Sequence, residues 1–421
     1  MAPEQSPVPG PSDTATMNPA IRDIVLLFST RITRLFAYGL ISVVLGLYLA
    51  STGLSASGVG AILSATLAGD ILVSLWVTLV ADRVGRKNML LLGAALMILS
   101  GLVFLFTTNP IWITLAAIIG IVSPSGGEIG PFLSIEQAAL SQLIPDHRRT
   151  RLFGWYNLAG CFATAAGALA GGWLAQLLQG LGWSELEAYR SIMASYAACG
   201  LVLIVLFATL SQRAEVVPVA NTSEGVARKT IGLHRSKKVV FKLSSLFALD
   251  AFAGGFVVQS MIAWWLHVRY GVDVGMLGTL FFGANLLAGV SALLATRLAE
   301  RIGLVRTMVY THIPSNILLC LVPLMPDFWL AVAVLLLRAC ISQMDVPVRE
   351  SYTMAVVAPD ERSAASGITT VARSVGAAAS PLLAGLFMAN PLLFSAPFFV
   401  AGGLKITYDL FLYKMFKDMK E

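Results

Sequence analysis

Thirteen ionisable side chains lie in stretches of this sequence that are otherwise almost wholly apolar. Seven are acids: Asp70, Glu128, Glu136, Asp250, Asp345, Glu350 and Asp409. Six are bases: Arg31, Arg34, Arg338, Arg349, Arg373 and Lys405. A charge in an apolar setting is costly, so each such group is a functional candidate that pairs, lines a wet cavity or carries a proton. The near balance of signs implies that many pair with each other, and it argues against a cavity tuned for anions. Asp70 could carry a proton or serve as a hydrogen-bonded structural acid. Arg338, Asp345 and Arg349 are spaced 7 and 4 residues apart, which puts them within about 40° on one helix face, so Asp345 can sit between two arginines. Glu136 and Glu350 each stand nine residues before a loop proline. They could bind protons or pair with Arg86 and its counterparts. Arg31 lies near a segment end and can snorkel.

The elements that hold these groups are membrane helices. Of 421 residues, 57% are hydrophobic and 12% charged, against about 25% charged in soluble domains. A helix of about 20 residues crosses the hydrocarbon core. Twelve stretches qualify: about 24–50, 57–80, 88–107, 111–144, 153–178, 190–211, 243–266, 274–297, 305–325, 328–358, 364–388 and 392–413. They are too long for barrel strands and lack strict alternation. Residues 1–22 carry no basic run of a secretory signal and are expected to form a disordered cytoplasmic tail. The cysteines (Cys161, Cys199, Cys320, Cys340) fall in apolar segments without metal-ligand spacing, so packing is their expected role and no metal or cofactor is implied. Of 29 Lys and Arg, 21 fall in the tails and loops of one side, and only Arg190 and Arg269 on the other. Both termini are therefore expected in the cytoplasm. The net charge of +6 reflects this bias, and no soluble basic domain exists to bind nucleic acid.

The chain repeats itself. Phe36-Ala37-Tyr38-Gly39 matches Phe252-Ala253-Gly254-Gly255, Ala81-Asp82-Arg83-Val84-Gly85 matches Ala299-Glu300-Arg301-Ile302-Gly303, and Pro145-Asp146-His147-Arg148 matches Pro359-Asp360-Glu361-Arg362. The expected organisation is a six-helix bundle over 23–212, a cytoplasmic linker over 213–242 and a second bundle over 243–421, related by an axis along the membrane normal. Spans four and ten are too long for one straight crossing. They contain Ser123-Pro124-Ser125-Gly126-Gly127-Glu128-Ile129-Gly130-Pro131 and Asp345-Val346-Pro347. Interrupted segments at matching positions of two halves point to a binding site, whose freed backbone must line a cavity or be buried in protein. Glu128, Asp345 and Arg349 are the expected binding residues there.

The loop Thr78-x3-Asp82-Arg83-Val84-Gly85-Arg86-Lys87 resembles the pattern G-x3-D-R-x-G-R-K/R of the major facilitator superfamily, with Thr78 for the first glycine. Span five, Gly154-x8-Ala163-x3-Gly167-Ala168-x2-Gly171-Gly172, resembles the spacing of its drug:proton antiporters, with alanine replacing one glycine and the proline. The resemblance implies an all-α fold of twelve transmembrane helices in two pseudo-symmetric bundles. It also implies a monomer in the plasma (cell inner) membrane that moves a small solute by alternating access. Asp82, Arg83, Gly85, Arg86 and Lys87 would hold a cytoplasmic gate. Spans one and seven would face each other, so Arg34 and Asp250, equivalent in the repeat, could pair when that side closes. Otherwise Arg34 snorkels and Asp250 caps its own helix. Span twelve would be peripheral, leaving Lys405 and Asp409 as a local pair. The leading expectation is proton-coupled efflux of an amphipathic molecule through Asp70, with Glu136 in reserve. The alternatives are a facilitator or proton symporter importing a nutrient, metalloid export through Cys161 and Cys340, and a membrane sensor. No HExxH or GxSxG pattern suggests an enzyme.

Overall fold

The computed structural model describes residues 19–128, 130, 132–144, 146–211, 234–358 and 361–417. The described residues are predominantly helical. The first half holds α1 (Pro19–Ser51), α2 (Ala56–Val84), α3 (Arg86–Phe106), α4 (Pro110–Ile119), α5 (Phe132–Leu143), α6 (Asp146–Gly180) and α7 (Glu185–Ala208). The second holds α8 (Lys237–Gly255), α9 (Gln259–Tyr270), α10 (Val274–Ile302), α11 (Leu304–Leu321), α12 (Phe328–Ala339), α13 (Asp345–Ala355), α14 (Arg362–Met388) and α15 (Ala396–Phe416). Three pairs, α4/α5, α8/α9 and α12/α13, are each one interrupted pass, so the helices make twelve passes. An even number of passes returns the chain to the face it started from, termed here the terminal face; the opposite is the far face. Lys237 opens α8 before residue 242, where the polar stretch read as a linker was expected to end.

Local sequence sets the boundaries. Asn109 accepts from the Ile111 N–H ahead of Pro110, and Asp327 accepts from the Leu330 N–H; both side chains satisfy amides that a helix start leaves open. Ser184 and Glu187 form a reciprocal capping box at α7. The repeat is visible at the α2/α3 and α10/α11 turns. Each turn is a single glycine at positive φ, Gly85 at 100° and Gly303 at 88°, a conformation that favours a residue without Cβ. The helices preceding them, α2 and α10, are both 29 residues long.

Among the described residues, nine helices are long and apolar enough to cross a membrane. Large apolar side chains such as Leu72, Phe106, Leu177, Val205 and Leu386 are exposed on their outer surfaces, as lipid contact requires. Exposed Trp112, Trp183 and Trp329 stand near the far face, a usual position for interfacial indoles.

The two halves meet through small residues towards the far face. A Cβ on Gly60 of α2 would lie 2.3 Å from the Pro381 carbonyl of α14. One on Gly172 of α6 would lie 2.6 Å from the Val274 carbonyl and 2.7 Å from Gly278 Cα of α10. Backbones therefore touch at α2/α14 and α6/α10, which is how membrane helices gain packing energy without a hydrophobic drive. The Leu382 N–H also donates to Ser64 Oγ at 2.8 Å.

Candidate functional site

Two ion-pair clusters occupy the bundle interiors, one in each half. In the first half, Arg34 of α1 is fully buried. Its Nη1 and Nη2 donate to the two oxygens of Glu136 on α5, each at 2.8 Å, and its Nε donates to Glu128 at 2.9 Å. Arg31, one turn earlier, donates to Glu128 at 2.9 Å and to the amide oxygen of Asn157 on α6 at 3.0 Å. Glu136 also accepts from Thr30 at 2.7 Å and from the Tyr156 hydroxyl. The guanidinium of Arg31 lies 4.3 Å from the Tyr156 ring centroid and that of Arg34 4.7 Å from Phe132, which adds cation–π attraction. Two bases meet two acids, each oxygen is engaged, and the cluster is neutral.

In the second half Asp250 of α8 is the hub. Its Oδ1 accepts from Lys405 of α15 at 2.6 Å and its Oδ2 from Arg349 of α13 at 3.2 Å. Arg349 also donates to Asp345, one turn before it, at 2.7 Å. Arg373 of α14 stands 3.5 Å from Asp250. His312 of α11 bonds Asp409 through Nδ1 at 2.9 Å and lies 3.8 Å from Asp250 through Nε2. Asn316 donates to the other Asp409 oxygen at 3.2 Å. The repeat thus inverts the charge. The first half has a base on its first pass bound to acids on its fourth, and the second half has an acid on its first bound to a base on its fourth.

Several expectations are corrected by this geometry. Arg34 does not snorkel: it is fully buried, and in this state, with the halves in contact towards the far face, Arg34 and Asp250 are each bonded within their own half. Arg31 does not snorkel. Lys405 and Asp409 do not pair with each other but bind Asp250 and His312, so the span expected at the periphery supplies part of the interior. Glu136 pairs with Arg34 rather than Arg86. Asp345 bonds Arg349 alone, because the chain leaves the helix between Ala339 and Asp345. Arg338 stays within electrostatic reach of Asp345 without a hydrogen bond to it, and its Nε is buried without a partner. Glu350 is exposed.

Spans four and ten are both interrupted: α4 ends at Ile119 and α5 begins at Phe132, while α12 ends at Ala339 and α13 begins at Asp345. The first break is held by neighbouring hydroxyls. Ser100 donates to the Gly120 carbonyl at 3.0 Å, Tyr196 to Ile121 at 2.9 Å and Thr164 to Gly126 at 3.3 Å. Across the halves, the Ser260 N–H donates to the Pro124 carbonyl at 3.1 Å. Freed backbone within a membrane is thereby buried against protein. Gly126 and Gly130 take positive φ, and so does Ile121 at 52°, a strained value for a β-branched residue. Pass seven is interrupted as well, between α8 and α9. There Gln259 donates to Ser42 of α1 at 2.7 Å and accepts from Asn285 at 3.4 Å.

Asp70 of α2 stands beside the first break. It accepts from Ser74 at 3.2 Å and from the Gly130 amide. Among the described residues no base pairs with it. In the loop motif, α2 runs through Asp82 and Arg83, whose side chains lie outside the description. Gly85 makes the turn, Arg86 opens α3, and Lys87 donates to the Ala208 and Leu210 carbonyls at 2.6 and 3.0 Å, a cation on the end of α7. In the α6 spacing, Gly167 and Gly171 pack on the α1 backbone at Phe36 and Leu40, and Gly172 on α10. Gly154 meets nothing within 4 Å. Thr30, Tyr156, Asn157, His312 and Asn316 were not singled out from sequence; a polar residue in an apolar run was the available signal.

The sequence profile of the Major Facilitator Superfamily matches residues 27–267 and 244–420. An uncharacterised membrane protein of Saccharomyces cerevisiae is 30% identical over 424 residues, covering 94% of each chain. Among solved structures, the D-xylose-proton symporter superposes with a TM-score of 0.73 at 16% identity, over 93% of this chain and 97% of its own. The nucleoside transporter NupG gives 0.70 at 15% identity, over 95% and 100%.

Proposed function

The chain belongs to the major facilitator superfamily, and we propose that it is a proton-coupled secondary transporter that exports a small amphipathic solute by alternating access. The observation that carries the coupling is Asp70. The acids of both clusters are each bonded to arginine, lysine or histidine. Asp70 has only two neutral donors, from Ser74 and Gly130. It also sits where α2 packs by the broken span, so its charge state acts on the element that moves. The resemblance of the α6 glycine spacing to that of drug:proton antiporters supports exchange; in the structure Gly167 and Gly171 let α6 lie directly on α1, and Gly172 lets it lie on α10 of the other half.

The solute site lies between the two clusters, bounded by Glu128, Asp345 and Arg349 and by the polar bridge of Ser42, Gln259 and Asn285. The halves, 23–212 and 243–421, close on the far face through their glycine contacts. The motif residues Asp82, Arg83, Gly85, Arg86 and Lys87 close the terminal face in the alternate state. The basic bias of the loops puts that face in the cytoplasm of a cell whose plasma membrane holds a monomer. The test is reconstitution in liposomes with a compound panel. Export into acidic external medium that a protonophore abolishes is the expected result. Movement that ignores the proton gradient would overturn the coupling, and movement of no compound would overturn the transporter reading.

A further inference from the structure

The bases of the two halves are not equally well paired. In the first-half cluster each arginine is hydrogen-bonded to a carboxylate. In the second-half cluster three bases, Lys405, Arg349 and Arg373, converge on the one carboxylate of Asp250.

Arg373 is the least satisfied of the three. Asp250 is already engaged at both oxygens, by Lys405 at 2.6 Å and Arg349 at 3.2 Å. Arg373 comes third, with Nη1 at 3.5 Å from Asp250 and no hydrogen bond to it. Its side chain is 34% exposed, against 6% for Arg349 and 11% for Lys405. The position is central. Leu382 of α14 bonds Ser64 of α2 near the far face. Arg373 lies nine residues below Leu382 and Asp70 six below Ser64, about 13 and 9 Å at 1.5 Å per residue. Arg373 thus stands roughly level with Asp70 on the facing helix. An accessible guanidinium in mid-span with no satisfied donor set requires a counter-ion.

We propose that Arg373 receives a carboxylate of the transported solute, so that the solute is a small organic anion. A planar guanidinium fork matches a carboxylate in two parallel hydrogen bonds, which lysine cannot copy. Asp250 lies behind the fork at 3.5 Å. This assignment rests on the transporter reading above and names its substrate class.

The test uses the full chain in lipid nanodiscs with matched probes: benzoate against benzamide and octanoate against octanamide. A carboxylate should raise the melting temperature and its amide should not. Arg373→Gln should weaken that carboxylate about tenfold or more, the usual scale for a lost charge-assisted pair. Arg373→Lys should retain part of the effect. The variant should fold, because Asp250 keeps two other bases. Absence of a shift with every carboxylate, equal shifts with the amides, or an undiminished shift in Arg373→Gln each overturns the proposal. In liposomes, transport of neutral or cationic compounds but of no carboxylate overturns the anion class and leaves the transporter reading standing. A loss in Arg373→Gln that Asp70→Asn reverses would show that Arg373 serves Asp70 instead of a solute.

Discussion

Glu136→Gln should unfold the first bundle at a distinctly lower temperature. The carboxylate is fully buried and takes two N–H bonds from Arg34 at 2.8 Å, one from Thr30 at 2.7 Å and one from Tyr156. Glutamine preserves the shape but turns one acceptor into a donor. That donor then faces the N–H or O–H groups that the oxygen had satisfied. Arg34 is left with Glu128 alone, which Arg31 already shares. Removing one partner of a buried pair costs about 3–5 kcal/mol, since the other charge stays uncompensated. At about 2–4 °C per kcal/mol for a unit of this size, the melting temperature should fall by roughly 10 °C. The assay is thermal unfolding of the purified protein in detergent. Glu128→Gln should cost less, about 1–3 kcal/mol, because its side chain retains 15% exposure to water. Replacing Arg34 and Glu136 together by Met and Leu should recover much of the loss, since apolar replacement of a whole buried pair is often neutral. A Glu136→Gln protein melting within a degree or two of wild type, or above Glu128→Gln, would refute the reasoning.

Arg34→Asp and Asp250→Arg should each disable transport, and the double swap should not restore it, because each residue bonds within its own half; recovery in a transport cycle would show a direct pair. Gly60→Leu should prevent closure at α2/α14, where even a Cβ falls 2.3 Å from a carbonyl; disulfide trapping between cysteines at Ser64 and Leu382 should drop sharply, and unchanged trapping would contradict this. Glu361, at the loop before α14, accepts the backbone amides of His234, Arg235 and Ser236, which hold its carboxyl down at about 2. The folded value lies below the unfolded value of about 4.3, so its contribution is full above about pH 5 and lost as pH falls towards 2. Hydrogen exchange at residues 234–236 should be flat from about pH 5 to 8 after correction for intrinsic rates, and Glu361→Gln should raise it throughout.

The fold was legible because it is written as length, hydropathy and repetition. The break in span four was legible, since Pro124, Gly126 and Gly130 are poor helix residues; in span ten the break falls at 340–344, just ahead of the Asp345-Val346-Pro347 that marked it, which instead forms the first turn of α13. The break in pass seven was missed: Gly254-Gly255 stand at the end of α8, but they were read as part of the repeat, and the Phe256, Val257 and Val258 that follow are apolar. The ionisable residues were found by type, but their partners were not. Pairing depends on helix rotation and on which helices touch, and neither is fixed by spacing along one segment. Arg34 is equivalent to Asp250 in the repeat, yet equivalent positions in two bundles face their own interiors. Lys405 and Asp409 show the same limit. At i and i+4 they could bond each other, but Asp250 and His312 from neighbouring helices offer buried partners, where each interaction is stronger.

Asp70 is the proposed carrier of the coupling proton. The most direct test is Asp70→Asn in liposomes, measured in two modes on a solute identified by the panel. Gradient-driven movement should be lost, while exchange of labelled for unlabelled solute, which needs no net proton transfer, should continue at near the wild-type rate. An Asp70→Asn protein that still accumulates solute against its gradient, with the wild-type dependence on pH, would contradict the account.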